Sequence, residues 1–319
     1  MTVIGYHASH EQLPPGMLLS AVRLAESVGF DAAMCSDHLA PWTRAQGESG
    51  YAWSWLGAAL ARTDFSIGVV TAPGQRYHPV IAAQAMATLE EMFPGRFWAA
   101  LGSGEALNEH VTGDSWPTKS AREGRLRDCV AVIRRLLTGD RISFDGSIRV
   151  HDAQIWSLPA SPPPLLGAAV SPETAEWVAE WADGLITVGS DAAATQEVRA
   201  AYRGARGTGE TALQVHVCLE ESDEEALRVA GEQWSHATAP PGRMWDVEQP
   251  EDFEELADPT EEALRKAVLI AHSTEDLADR IARAAEGFDQ VYLHHVGTDQ
   301  AAFLRRCETE LLPALRSRI

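Results

Sequence analysis

Apolar residues along this chain fall into two alternating textures. Short unbroken runs such as Phe97-Trp98-Ala99-Ala100-Leu101 mark strands buried on both faces, since a strand covered on one side only would alternate. Between such runs the apolar residues recur every three to four positions, as on a helix with one buried face. Leu18, Val22, Ala25 and Val28 show this period early in the chain, and Leu126, Val130, Ile133 and Leu137 repeat it over residues 120–137.

Strand-like runs occur at residues 3–6, 30–35, 65–70, 97–101, 165–169, 184–188, 213–219 and 290–294. Eight of them, separated by helix-length segments, predict an α/β chain closed into a single (β/α)8 TIM barrel over residues 1–319. Two segments break the rhythm. Residues 141–156 flank Asp145-Gly146 with apolar positions and predict an inserted hairpin. Residues 234–257 carry Pro, Trp and acidic residues without a period and predict a lid-like insertion. The closing helix is expected over residues 300–315.

Charge then narrows the partners. Against 26 basic residues stand 46 acidic ones, a formal net charge of -20, which repels phosphate backbones and anionic lipid alike. Nucleic acid and membrane are excluded as partners, which leaves a small-molecule substrate. The amino end lacks a basic stretch followed by a long apolar one, and the expectation is a cytoplasmic protein. Cys35, Cys129, Cys218 and Cys307 are widely spaced without a C-x-x-C pair, so buried thiols are expected rather than a zinc site or disulfides.

In a closed barrel the side chains at the carboxyl ends of the strands converge on one face. Those ends offer Tyr6 and His7, Asp37 and His38, Val70 and Thr71, Ser103 with Glu105 and Asn108, Ala169 and Ser171, Val188 and Ser190, His216, and His294 with His295. His38 is the sharpest of them. A histidine just past a strand end, beside Asp37 and near the rigid Pro41-Trp42 corner, suits proton transfer near neutral pH; the bland alternative is an imidazole bonded to backbone. Glu105 follows the tight Gly102-Ser103-Gly104 turn and reads as a first-turn acid, a catalytic carboxylate or both. Adjacent His294 and His295 point to opposite faces of a strand, and no H-x-H or H-E-x-x-H spacing supports a metal site. Neither a dinucleotide fingerprint, a P-loop nor a G-x-S-x-G elbow is present.

Three stretches taken together carry a family likeness: Ser36-Asp37-His38-Leu39-Ala40-Pro41-Trp42, Arg76-Tyr77-His78-Pro79, and Gly102-Ser103-Gly104-Glu105-Ala106-Leu107-Asn108-Glu109. They resemble the luciferase-like superfamily of flavin and deazaflavin barrels, close to the coenzyme F420-dependent glucose-6-phosphate dehydrogenase branch and its flavin-using subgroup. The likeness extends from Gly5-Tyr6-His7-Ala8-Ser9-His10-Glu11-Gln12 to Pro313-Ala314-Leu315. It implies a ring held at the barrel mouth by Asp37, Val70, Thr71, Ser103, Gly104 and Asn108, with a non-prolyl cis peptide after the third strand. It further implies His38 as base, Trp42 as its support, Glu105 as acid, Glu11 lining the pocket, and a homodimer.

Two departures shape the expected chemistry. Relatives that use glucose 6-phosphate grip it with two lysines and an arginine, whereas this chain reads Gly189-Ser190-Asp191-Ala192-Ala193 after the sixth strand. Near the other two positions it offers Arg243, and Ala267 beside Lys266. The expected substrate is therefore a small organic molecule other than that sugar phosphate. The cofactor-phosphate loop Ala168-Ala169-Val170-Ser171-Pro172 lacks the glycine pair usual in deazaflavin relatives, and this leans the choice to FMN, with coenzyme F420 as the other option. The expected activity is hydride transfer between ring and substrate. Alternatives are a flavin-dependent monooxygenase and a non-catalytic cofactor-binding barrel, with a metal-dependent hydrolase barrel fitting least.

Overall fold

Each unbroken apolar run becomes a strand. The computed structural model describes residues 2–319 and contains, in chain order, β1 (Val3–Ala8), β2 (Ala32–Cys35), β3 (Ile67–Thr71), β4 (Phe97–Leu101), β5 (Ile142–Asp145), β6 (Arg149–Ala153), β7 (Leu165–Ala168), β8 (Gly184–Val188), β9 (Glu210–Leu219), β10 (Leu269–Ala271) and β11 (Gln290–His295). Eight of these pair in parallel in the order β9-β11-β1-β2-β3-β4-β7-β8, and β8 closes back onto β9. The result is the expected (β/α)8 barrel. The apolar runs are continuous because every barrel strand is covered twice, by the barrel interior and by the helices outside.

Inward positions fill the barrel with Ala32, Met34, Trp98, Ala100, Leu166, Ile186, Ala212 and Tyr292. Two of these are too large for an ordinary neighbour. A Cβ on Gly68 would stand 2.0 Å from the Trp98 ring, and one on Gly5 would stand 2.2 Å from Tyr292, so bare backbone on the adjacent strand makes the room. Outward positions pack on the helices in one large core. Proline opens the helices at Pro15, Pro79 and Pro172, where its missing N–H costs nothing. Side-chain caps at Thr118, Asp191, Ser222 and Ser273 start four others.

The inserted hairpin is β5 paired antiparallel with β6, turning through Gly146, Ser147 and Ile148. The lid-like stretch forms short helices at Ser235–Thr238, Met244–Asp246 and Pro250–Leu256. It belongs to a larger cap. Helices Asp223–Trp234 and Glu261–Ala267 flank it, and β10, which the pattern does not announce because it is three residues long, extends the wall beside the end of β9. Phe253, Val247 and Ala239 of the cap pack with Leu107, Ala40 and Trp42 of the barrel loops, fastening the cap across the mouth.

Two expectations need correction. The closing helix is not continuous: Gln300–Arg306 passes through a wide π-type turn, Cys307–Leu311, before Leu312–Arg316. Pro313 has no N–H to give to the carbonyl four residues back, and the widened turn absorbs the interruption. No cis peptide bond occurs among the described residues, so the chain leaves β3 on trans bonds.

Candidate active site

The loop after β2 brings His38 over the carboxyl end of the barrel. Its Nε2 lies 3.2 Å from Glu105 Oε1 and 3.5 Å from Glu11 Oε1, so residues distant in sequence form one proton-carrying group. Glu11 is buried, and its Oε2 accepts from Ser9 Oγ at 2.5 Å and Ser36 Oγ at 2.8 Å. Burial opposes its ionisation, yet the His38 charge and the Ser9 hydroxyl outweigh it and hold the carboxyl below its usual range. Burial also disfavours the His38 imidazolium, but the charges of Glu11 and Glu105 and the Glu105 hydrogen bond prevail, raising its pKa to about 9. The Trp42 ring leans on His38 with centroids 4.7 Å apart.

Asn108 acts as a brace for this group. Its Nδ2 donates to Glu105 Oε1 at 3.1 Å while its Oδ1 accepts from the Leu39 N–H at 2.7 Å, tying the loop after β2 to the turn after β4. Gly104 holds that turn at φ +82°, a conformation natural to glycine. Glu105 stands at the start of the Ala106–Glu109 turn with its carboxylate directed to His38 and Asn108 rather than capping the helix.

The Asp37 carboxylate faces the interior. It accepts from Thr71 Oγ1 at 2.7 Å and Tyr77 OH at 3.0 Å, and Arg76 Nη2 approaches to 3.4 Å. Arg76 also pairs with Glu109 at 3.6 Å, and the Arg76 backbone N–H donates to that carboxylate at 2.6 Å. Asp37 and Thr71 thus anchor the rim through side chains that are already bonded. Arg76 and Tyr77 entered the sequence reading only through the family likeness; their link to Asp37 spans some forty positions and leaves no periodic trace.

Small side chains pave the rest of the rim. Val70 on β3, Gly102, Ser103 and Gly104 in the turn after β4, and Ala168 on β7 are partly exposed, Ala169 is buried and Val170 is exposed. Ser171 Oγ caps its own helix by accepting from the Thr174 N–H at 3.3 Å.

A row of imidazoles crosses the opposite wall. His216, His294 and His7 lie on the adjacent strands β9, β11 and β1, with ring centroids 5.2 and 4.5 Å apart along the row. Burial lowers all three pKa values, to about 3 for His216, about 4 for His7 and well below the usual range for His294, so they are neutral where His38 is charged. The cap adds Trp234 against His216 and His294, and His236 flat on Trp42 at 4.9 Å. Trp234 and His236 are the residues that sequence reasoning missed. They lie at the edge of an aperiodic segment, and no strand register assigns them to the mouth.

Comparison with known proteins places the chain as a whole. The profile of the luciferase-like monooxygenase family matches residues 1–290. The F420-dependent glucose-6-phosphate dehydrogenase of Beutenbergia cavernae is 35% identical over 333 residues, covering 100% of this chain and 98% of that protein. The protein of the same name from Mycolicibacterium smegmatis is 31% identical over 328 residues, covering 98% of each. The structure of an F420-dependent secondary alcohol dehydrogenase in complex with an F420-acetone adduct matches with a TM-score of 0.90 and 28% identity over 99% of each chain. These relatives are named for F420, and the lean toward FMN finds no support in them. Matched by the profile over most of its length and by such relatives end to end, the chain belongs to the luciferase-like monooxygenase family.

Proposed function

We propose that this protein is an F420-dependent oxidoreductase that interconverts a small uncharged alcohol and its carbonyl compound. The observation that carries the reading is the His38 imidazole held between Glu11 and Glu105 at the barrel mouth. A flat ring is accommodated where the rim side chains are small, at Gly102, Ser103, Gly104 and Ala168, all of them partly exposed. Val70, Gly102, Ser103, Gly104 and Ala168 would lie against the ring. Bound there, the deazaflavin would supply the hydride acceptor.

The residues of the chain then handle the proton. Neutral His38 accepts the hydroxyl proton, and the carboxylates of Glu11 and Glu105, which face Nε2, stabilise the imidazolium that results. In the reverse direction the imidazolium returns that proton to the carbonyl oxygen. Trp42, Trp234 and Phe253 keep water from the reacting bond.

The pH dependence follows with its sign. Alcohol oxidation needs the neutral base, and with His38 titrating at about 9, kcat/KM for the alcohol rises nearly tenfold per pH unit on the acid side of that value. It then levels off. Carbonyl reduction needs the imidazolium, so it holds level on the acid side and falls above. Profiles that are flat in both directions would remove His38 from the proton step.

A sugar phosphate is the second reading, favoured by the name of the relatives and by a cleft of about 280 Å³ lined by Ser190, Arg265, Lys266, Arg280 and Arg283. Against it, Ser190 Oγ bonds the Ala267 carbonyl at 2.9 Å and the His216 carbonyl at 3.3 Å, a seam between those cations and the imidazole row. Arg265 and Arg280 also face Glu261 and Asp276. Titration of the purified protein with F420 and with FMN, followed by anaerobic addition of secondary alcohols or glucose 6-phosphate, tests both readings. Tight F420 binding and bleaching by the uncharged alcohols are expected. Bleaching by the sugar phosphate alone selects the second reading, and saturable binding of FMN without F420 overturns the cofactor assignment.

A further inference from the structure

The strand β9 carries a polar side chain that the proton machinery does not use. Gln214 points to the barrel interior, sharing its face with Ala212, lies in register with Val188 of β8 and Tyr292 of β11, and is partly exposed at the mouth. Its terminal amide lies against His216, with the position assigned to the amide nitrogen 3.2 Å from His216 Nε2, and the other ring nitrogen, His216 Nδ1, is 3.2 Å from the Trp234 indole nitrogen.

The hydrogens in this chain are dictated by chemistry. An indole N–H can only donate, so His216 Nδ1 is an acceptor and carries no proton. A neutral imidazole then bears its proton on Nε2, which must donate. Were Nε2 also to accept, from the amide –NH2, the ring would have to be an imidazolate. Of the two ends of the Gln214 amide only Oε1 can accept, and the amide is therefore turned with Oε1 toward His216 and its –NH2 away from it. Burial, followed by the neighbouring His7, keeps His216 neutral, outweighing the hydrogen bond to the Ala267 backbone carbonyl and the weaker pull of Glu11. The Ser190 hydroxyl, which donates to the Ala267 carbonyl at 2.9 Å, lies 3.3 Å from the His216 carbonyl at the same point of the strand.

Among the described residues no other side chain is bonded to the Gln214 amide, so its two N–H donors remain for a ligand. A primary amide fixed in this way discriminates sharply, because a ligand without an acceptor leaves the donors unpaired in a mouth covered by the cap.

We propose that Gln214, oriented by the Trp234–His216 relay, is a specificity-determining residue that donates to a second, uncharged oxygen of the substrate. The preferred substrates are accordingly diols, polyols or hydroxyketones rather than simple alkanols. This rests on the alcohol dehydrogenase reading above, and the cap takes part in it because Trp234 belongs to the cap. Trp234 and His216 are positioning residues, acting through the amide.

Two measurements on the full-length protein test it. The first compares F420 reduction by matched pairs, 2-propanol with 1,2-propanediol and 2-pentanol with 1,4-pentanediol. In at least one pair the diol is expected to have a kcat/KM about tenfold or more above the alkanol, and in Gln214→Leu that ratio should fall below about twofold. Equal ratios in the parent protein, or a ratio that survives the substitution, overturn the assignment. The second is nitrogen-15 NMR of the histidine rings. His216 should remain the neutral Nε2–H tautomer from about pH 5 to 8, and in Trp234→Phe, where no donor holds Nδ1 bare, the neutral Nδ1–H tautomer should appear beside it. A His216 that titrates in the parent protein, or an Nδ1–H tautomer, overturns the relay. If no alcohol reduces F420, the dehydrogenase reading fails and the substrate claim with it, while the NMR result still decides the relay.

Discussion

His38→Ala lowers the turnover of alcohol by on the order of a hundredfold to ten-thousandfold, the range expected when a positioned acid–base group is removed. The affinity for F420 should change little, because His38 bonds to Glu11 and Glu105 and the paved rim at Val70, Gly102 and Ala168 lies on other segments of the chain. The variant leaves two carboxylates facing each other without the cation between them, so it should also abolish the rise of oxidation rate toward high pH. Added imidazole should restore part of the turnover, more at alkaline pH, where it is neutral. Stopped-flow bleaching of the cofactor together with an equilibrium titration separates the effects. A rate within tenfold of the parent protein would show that the proton leaves by another route.

Arg76→Ala is expected to cost about 3–5 kcal/mol of folding stability, because it strands two buried carboxylates at once. Asp37 and Glu109 are almost fully enclosed, and the Arg76 guanidinium lies 3.4 and 3.6 Å from them. Burial already pushes the Glu109 pKa up, with the Arg76 backbone and side chain resisting that shift; without the guanidinium Glu109 would move toward its neutral form. Arg76→Lys should recover only part of the loss, since an ammonium cannot reach two carboxylates with a planar fork. Denaturant unfolding of the two variants beside Asp37→Asn measures this, with the double variant Asp37→Asn, Arg76→Ala expected to lose less than the sum of the singles. A loss below about 1 kcal/mol would mean that water or a rearranged loop replaces the pairing.

The outline of the barrel was legible in the chain because its cause is local. A strand covered on both faces must be apolar at nearly every position, as in Phe97–Leu101, and a helix with one covered face must repeat at its own period. His38 and Glu105 could be named for the same reason, since each directly follows a strand whose carboxyl end a closed barrel turns to the mouth. Pairing is another matter. Nothing local says that Asn108 ties Glu105 to the backbone at Leu39, that Arg76 closes on Asp37 and Glu109, or that Asp37 spends its carboxylate below the surface.

The cap shows the limit most clearly. Its segment lacks a period because it packs through scattered contacts, Phe253 on Trp42 and His236 flat on the same ring, so its residues carry no register that the sequence could expose. The sequence by itself determined which segments must be buried and which residues stand at the strand ends, because hydrophobic burial acts through patterns a few residues long. Only the tertiary structure decided which charges meet and which imidazoles stay neutral, because ion pairs and burial depend on distances between residues that the chain separates by tens to hundreds of positions.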